Sequence, residues 1–299
     1  MTENTGKKLS KLISLAQFQL VEIENLRKIC NDYEHLNLKL KMDWLHTPST
    51  NNTNYFLFYQ DDGLVGFLGL YGFGTELQIT GMVQPEYRHK GIFRALFSEA
   101  ILECKKRDVR QVLLIAEHAS ADGTKFAQAR GGDCIFSECR MEFQGSDASK
   151  IESYLTLEEA TPADLPTLAH IHAVCFNATG NAALVIKMLQ KEGNSSYLAK
   201  LNGVTVGKLG LSKEGDGIYI RGVAILPEYR RRGYGRQMLS KVIQKMLAER
   251  FTHLILDVQI SNSNALRLYQ SCGFQESTIY NYFRVVLGVP QTMILLAEP

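Results

Sequence analysis

The sequence predicts an α+β fold written twice in tandem, and three observations lead to it. The first is an echo. Pro85-Glu86-Tyr87-Arg88-His89-Lys90-Gly91-Ile92-Phe93 returns 142 positions later as Pro227-Glu228-Tyr229-Arg230-Arg231-Arg232-Gly233-Tyr234-Gly235. At the same offset Arg94 falls on Arg236, Ser98 on Ser240, Gly131 on Gly273 and Met141 on Phe283, with no gap between residues 83 and 141. The second is length, since 299 residues suit two domains of roughly 150. The third is pattern: each echo follows a β-branched apolar run, opens an amphipathic segment and lies downstream of hairpin signals. Antiparallel runs with helices set around them give an α+β architecture. The small polar stretch Gln144-Gly145-Ser146-Asp147-Ala148-Ser149 marks the boundary, so the expected domains are 1–147 and 148–299.

Each half reads in the same order. A helix opens it, at about 15–31 and about 162–176. The second is announced by Thr161 as cap, Pro162 at the first helical position and Asp164 in the first turn. Hairpins follow, Tyr55–Gln60 with Leu64–Tyr71 and Tyr197–Leu201 with Val204–Ser212, turning on Asp61-Asp62-Gly63 and Asn202-Gly203. The strands Glu76–Val83 and Gly217–Ile225 run into the echoed turn. In the second copy the next helix carries a single stripe of Met238, Leu239, Val242, Ile243, Met246 and Leu247, with Arg236, Lys241 and Lys245 outside it. The first copy does the same with Leu96, Phe97, Ala100, Ile101 and Cys104. Buried strands at Gln111–Glu117 and His253–Gln259, a shorter helix and closing strands complete each unit.

Composition narrows the function. Thirty-three basic and 31 acidic side chains leave a formal charge of +2, which argues against nucleic acid or an acidic membrane as the main partner. No apolar run reaches the roughly 20 residues a spanning helix needs, and Met1 to Lys11 lacks the apolar core of a signal peptide. Six scattered cysteines without a CxxC pair read as reduced thiols, and the cytoplasm is the expected compartment. His170 and His172, two apart on a helix, face different ways and make a poor metal site, so no metal is expected. The absence of a GxxxxGK[ST] loop removes an ATPase reading.

Chemistry is expected at Arg230-x-x-Gly233-x-Gly235. Glycines let backbone approach a phosphate, and arginines add charge where a helix start already favours an anion. Downstream stands Asn262-Ser263-Asn264-Ala265-Leu266-Arg267-Leu268-Tyr269-Gln270-Ser271-Cys272-Gly273-Phe274, which begins on a good cap and ends at glycine. These two segments, in this order, resemble the GNAT superfamily of acyl-CoA-dependent N-acyltransferases, and the resemblance covers nearly the whole chain as two GNAT-like copies. It implies that acetyl-CoA is the co-substrate and that its pyrophosphate sits on backbone amides of Arg231, Arg232, Gly233, Tyr234, Gly235 and Arg236, beside Arg230. It implies a pantetheine arm pairing with main-chain groups of Val223 and Ile225 and touched by Asn262. Tyr269 is implied as the acid that protonates the departing thiolate. The resemblance supplies no base: Glu214 and Asp216 precede the relevant strand, and Asp257 is as readily a partner for Arg221.

The first half departs from the pattern. Phe93 replaces the second glycine, Ala127 stands at the position of Tyr269, Ser120 at that of Asn262, and Gly131-Gly132 at that of Gly273-Phe274. That half is expected to be catalytically degenerate. The expectation for the whole is a tandem acetyltransferase whose second half moves an acetyl group to a primary amine, on a small molecule or peptide, in a ternary complex. The alternative is a non-catalytic acyl-CoA-binding sensor or scaffold.

Overall fold

The structure, a computed structural model, describes residues 6–40, 45, 52–72, 75–145, 153–176, 193–214 and 217–288. The first repeat runs β1 (Lys7–Leu12), α1 (Gln17–Glu34), β2 (Tyr55–Gln60), β3 (Gly63–Tyr71), β4 (Glu76–Val83), α2 (Ile92–Lys106), β5 (Gln111–Glu117), α3 (Ala121–Gln128) and β6 (Asp133–Phe143). The second runs β7 (Leu155–Glu159), α4 (Leu165–Phe176), β8 (Asn194–Leu201), β9 (Val204–Glu214), β10 (Gly217–Ile225), α5 (Tyr234–Ala248), β11 (Leu254–Gln259), α6 (Ser263–Ser271) and β12 (Phe274–Val286). The fold is α+β, and in each unit mostly antiparallel strands with one parallel pair are flanked by helices. Among the described residues no helix is long and apolar enough to cross a membrane.

The turns form for the reasons their residues suggest. Asp61 and Asp62, and Asn202 and Gly203, all have positive φ, the geometry that a two-residue hairpin turn requires. Before α4, both the amide and the hydroxyl of Thr161 donate to Asp164 Oδ2 at 2.8 Å, so the acid of the first turn closes the cap. Strands β1 and β7 are short, and only β7 shows an alternation, Leu155-Thr156-Leu157. They sit at the sheet edges, and each pairs antiparallel with the first hairpin strand of its repeat.

Packing divides the chain into residues 1–137 with 278–299, and residues 138–277. The first unit's sheet runs β1-β2-β3-β4-β5-β12 and the second's β7-β8-β9-β10-β11-β6. The repeats have therefore exchanged their closing strands. Met141 of β6 pairs with Leu256 of β11, and Phe283 of β12 pairs with Leu114 of β5. Both members of the two pairs differ by the same 142 positions as the echoed turn. The division expected at 147/148 follows the duplication; the packing boundary follows the exchange.

In the second unit the helix stripe is the centre of the core. Met238, Leu239, Val242, Ile243 and Met246 are buried against Val206, Leu209, Ile218, Leu254 and Leu256, each such side chain contributing roughly 1.5–3 kcal/mol. In the first unit Ile92, Leu96, Phe97, Ala100 and Cys104 do the same against β3, β4 and β5. These helices hold the sheet while two strands fork. Parallel pairing of β4 with β5 ends at Ile79, and that of β10 with β11 ends at Tyr219. The remaining ends, to Val83 and Ile225, run on into the echoed turns.

Candidate active site

Both turns share one backbone. His89 and Arg231 have φ of 59° and 62°, and Gly91 and Gly233 have φ of 80° and 78°. The glycine is required there, because each is the residue from which the helix starts in left-handed conformation. The first helical hydrogen bonds run from Ala95 to Gly91 and from Gln237 to Gly233. The amides of Tyr234, Gly235 and Arg236 thus precede the helix's own bonding and point out of its N-terminus, a ready anion cradle.

The leading arginine of each turn has a structural duty as well. Arg230 Nε donates to the Ile225 carbonyl at 2.9 Å, and the Cys175 thiol meets the same oxygen at 3.5 Å. In the first unit Arg88 Nε and the Cys30 thiol meet the Val83 carbonyl at 3.1 and 3.4 Å. The strand end is clasped twice over, once per repeat, by a cysteine of the opening helix and an arginine of the turn. Any pairing of Ile225 with a ligand must then use a group other than its carbonyl. Burial pushes the Cys30 thiol up to about 11, which keeps it a neutral donor.

Charge separates the turns. Arg88 forms an ion pair with Glu34 at 2.6 Å and faces Asp122 at 3.9 Å, while His89 lies 3.4 Å from the same aspartate. At the position of Asp122 the second repeat has Asn264, whose Oδ1 accepts from Arg267 at 2.8 Å. Among the described residues, no carboxylate pairs with Arg230, Arg231, Arg232 or Arg236. Among the described residues the positive charge of the second turn's arginines is left unpaired.

The second glycine is a packing residue. A Cβ on Gly235 would stand 3.1 Å from Leu268 of α6 and 3.8 Å from Ile225. The first unit solves the same contact differently: Phe93 meets Phe126 edge-on at 4.7 Å, and Phe126 occupies the position of Leu268. Phe93 also lies across β4, because a Cβ on Gly81 would come within 2.7 Å of its ring. Gly81 stands where the second repeat has Val223. An open cleft of about 490 Å³ remains in the first unit, between Ile79, Val83, Phe93, Leu114, Glu117 and Phe126. At its β5 end Glu117 is buried, its Oε2 accepts the Asn37 amide, and burial raises its pKa.

In the second unit β10 carries a bulge. Gly222 and Val223 together face Leu209, between the pairs Arg221–Gly210 and Ala224–Lys208, and Gly222 has φ of 56°. Such a bulge turns main-chain groups out of the ladder. The β3–β4 pairing of the first unit runs without interruption from Val83 to Gln78. Tyr269 is only 8% exposed, and burial, with Cys272 nearby, pushes its phenol up to about 12, so it stays protonated across the working pH range. Asn262 caps α6 by accepting the Ala265 amide at 3.2 Å, and Ser120 caps α3 in the same way through Gly123. The Asn262 amide nitrogen is left over for other use. The sequence left the base open: Asp257 is bound to Arg140 at 3.0 Å, Asp216 lies outside the described residues, and nothing is described of the Glu214 side chain.

Residues 19–131 and 165–274 each match the acetyltransferase (GNAT) family. The chain belongs to that family. Over 138 residues, 44% of the chain and 80% of the relative, it is 30% identical to N-alpha-acetyltransferase 50 of Danio rerio. Over 74 residues, 24% of the chain, it is 36% identical to the ribosomal protein bS18-alanine N-acetyltransferase of Salmonella typhimurium, and the match spans half of that relative's length. Among solved structures, a GCN5-related N-acetyltransferase from Sphaerobacter thermophilus covers 96% of the chain and is itself 98% covered, with a TM-score of 0.77 at 16% identity. A tandem GNAT protein from the clavulanic acid biosynthesis pathway covers 95% and is fully covered, with a TM-score of 0.73 at 11% identity. The chain thus carries two GNAT domains in tandem.

Proposed function

We propose that the C-terminal repeat transfers an acetyl group from acetyl-CoA to a primary amine, of a small molecule or a peptide, by direct attack in a ternary complex. The observation that carries this reading is that an uncompensated arginine turn, a bulged strand and a buried protonated tyrosine coincide in one repeat. Arg231 to Arg236 would hold the pyrophosphate through amides and guanidinium groups. The bulge at Gly222 and Val223 offers main-chain donors for the charge that develops on the carbonyl oxygen. Tyr269 would give its proton to the departing sulfur, the kind of step general acids accelerate by about 10²–10⁴-fold. The relatives named above act on alanine or alpha amino groups by their names, which favours an amine acceptor and puts peptide N-termini in the first panel to be tried.

The test follows free thiol released from acetyl-CoA in the presence of amines, for wild type and Tyr269→Phe. Amine-dependent release that falls sharply in the variant supports the reading. Tight binding of acetyl-CoA without release by any amine would leave a binding protein instead.

A further inference from the structure

The second unit buries a cation that the acyl-CoA machinery does not use. Lys208 lies on β9 and is 7% exposed, within an apolar cluster of Leu168 and Ile171 from α4, Leu198 from β8 and Ala224 from β10. Among the described residues no carboxylate pairs with it; Nζ lies 3.5 Å from His172 Nδ1 and 6.0 Å from the centre of the Phe176 ring. An unpaired ammonium in such surroundings is costly and is seldom kept for stability alone. Its location is specific. Lys208 stands opposite Ala224, beside the bulge, and a Cβ on Gly222 would come within 3.9 Å of its Nζ. The amine therefore faces the point on β10 where main-chain donors leave the ladder, on the α4 side of the sheet and away from α5.

We propose that His172 and Lys208 together accept the proton that the acceptor's ammonium group must lose before its nitrogen can attack. This rests on the acetyl-transfer reading above. The ammonium gives a proton to His172 Nε2 while His172 Nδ1 passes its own to neutral Lys208 Nζ. The freed lone pair forms the C–N bond, the C–S electron pair leaves on sulfur, and Tyr269 supplies the proton that sulfur takes up. The second proton of the nitrogen restores the Tyr269 hydroxyl through solvent, and the relay resets when His172 releases its Nε2 proton to bulk water and Lys208 returns its proton to Nδ1.

The surroundings suit the pair. Burial, with Arg221 of β10 adding to it and Cys175 of α4 opposing it, brings the Lys208 ammonium down to about 8. Burial and Lys208 itself lower the pKa of His172, keeping the ring neutral. The titratable and charged groups that face Lys208 are His172 and Cys175 from α4 and Arg221 from β10; Leu198, opposite it on β8, brings none. Protonated Lys208 would donate to Nδ1 and force the ring proton onto Nε2, closing the relay. Activity therefore rises as pH increases through about 8.

The experiment measures amine-dependent thiol release against pH for wild type, Lys208→Met, Lys208→Arg and His172→Asn, together with acetyl-CoA affinity and thermal midpoint. Lys208→Met suits the apolar cluster, and its midpoint should match or exceed that of wild type. The expected result is retained acetyl-CoA affinity, about a 10²-fold loss of kcat in both lysine variants, and loss of the limb near pH 8. A Lys208→Met protein that keeps the wild-type rate and limb overturns the inference and leaves acetyl transfer standing. Wild type that binds acetyl-CoA and turns over no amine overturns both.

Discussion

The two echoed turns have almost the same backbone and differ in how their leading cations are paired. His89 and Arg231, and Gly91 and Gly233, agree in φ within about three degrees, and both strand ends are clasped by a cysteine and an arginine. Yet Glu34 and Asp122 pair with Arg88 and His89 of the first turn and leave its Lys90 and Arg94 without a carboxylate among the described residues, whereas the second meets Asn264 and leaves all four of its arginines so. Conformation is common to the two turns; the pairing of charge distinguishes them. A helix start with free amides favours a diphosphate, and an acid 2.6–3.9 Å from the leading arginine takes up part of the attraction that a ligand would use.

The largest effect expected from breaking this asymmetry is at the acid. Tyr269→Phe should lower kcat by about 10²–10⁴-fold with little change in acetyl-CoA affinity, as read by stopped-time thiol release and calorimetry. Ala127→Tyr should create no activity in the first repeat, because no bulge interrupts β4 there. A smaller effect follows from copying the first turn into the second. Gly235→Phe forces a ring against Leu268 and Ile225, and acetyl-CoA affinity should fall by about tenfold or more, equivalent to at least about 1.4 kcal/mol. Val223→Gly added to it should recover part of the loss, since Gly81 makes that room for Phe93. The smallest effect is electrostatic. Asn264→Asp, a copy of Asp122, should weaken acetyl-CoA by about two- to fivefold at low salt, and the difference should shrink as salt screens it.

Much of this was legible because the duplication displays it. The bounds of β4, β5 and β10 and the buried stripe of α5 follow from periodicity and from the turn that ends each strand. Edge strands β1 and β7 were not legible, because they are short and half solvated, and the Leu155–Leu157 alternation of β7 spans only three residues. The exchange of β6 and β12 was hidden for another reason: a strand's own sequence does not name its partner, and the two closing strands are interchangeable at one offset. The candidate site divides the same way. Residues joined by a local motif, Arg230 to Arg236 and Asn262 to Tyr269, could be nominated as candidates. Cys30 and Cys175 were read only as buried thiols, since their carbonyl partners lie about fifty positions away. His172 and Lys208 are separated by 36 positions and meet only when α4 packs on the sheet, so no motif could announce them.

The most direct measurement reverses the same two positions in each turn and titrates acetyl-CoA by calorimetry. Arg231→Glu with Arg232→Glu alters the second turn, and His89→Glu with Lys90→Glu alters the first, where the His89 side chain is 80% exposed. Loss of binding by about 10²-fold or more in the first of these proteins, about 2.7 kcal/mol, with wild-type affinity in the second, is the predicted result. Binding that survives reversal at Arg231 and Arg232 and disappears on reversal at His89 and Lys90 would place the acyl-CoA site in the first repeat and contradict the account.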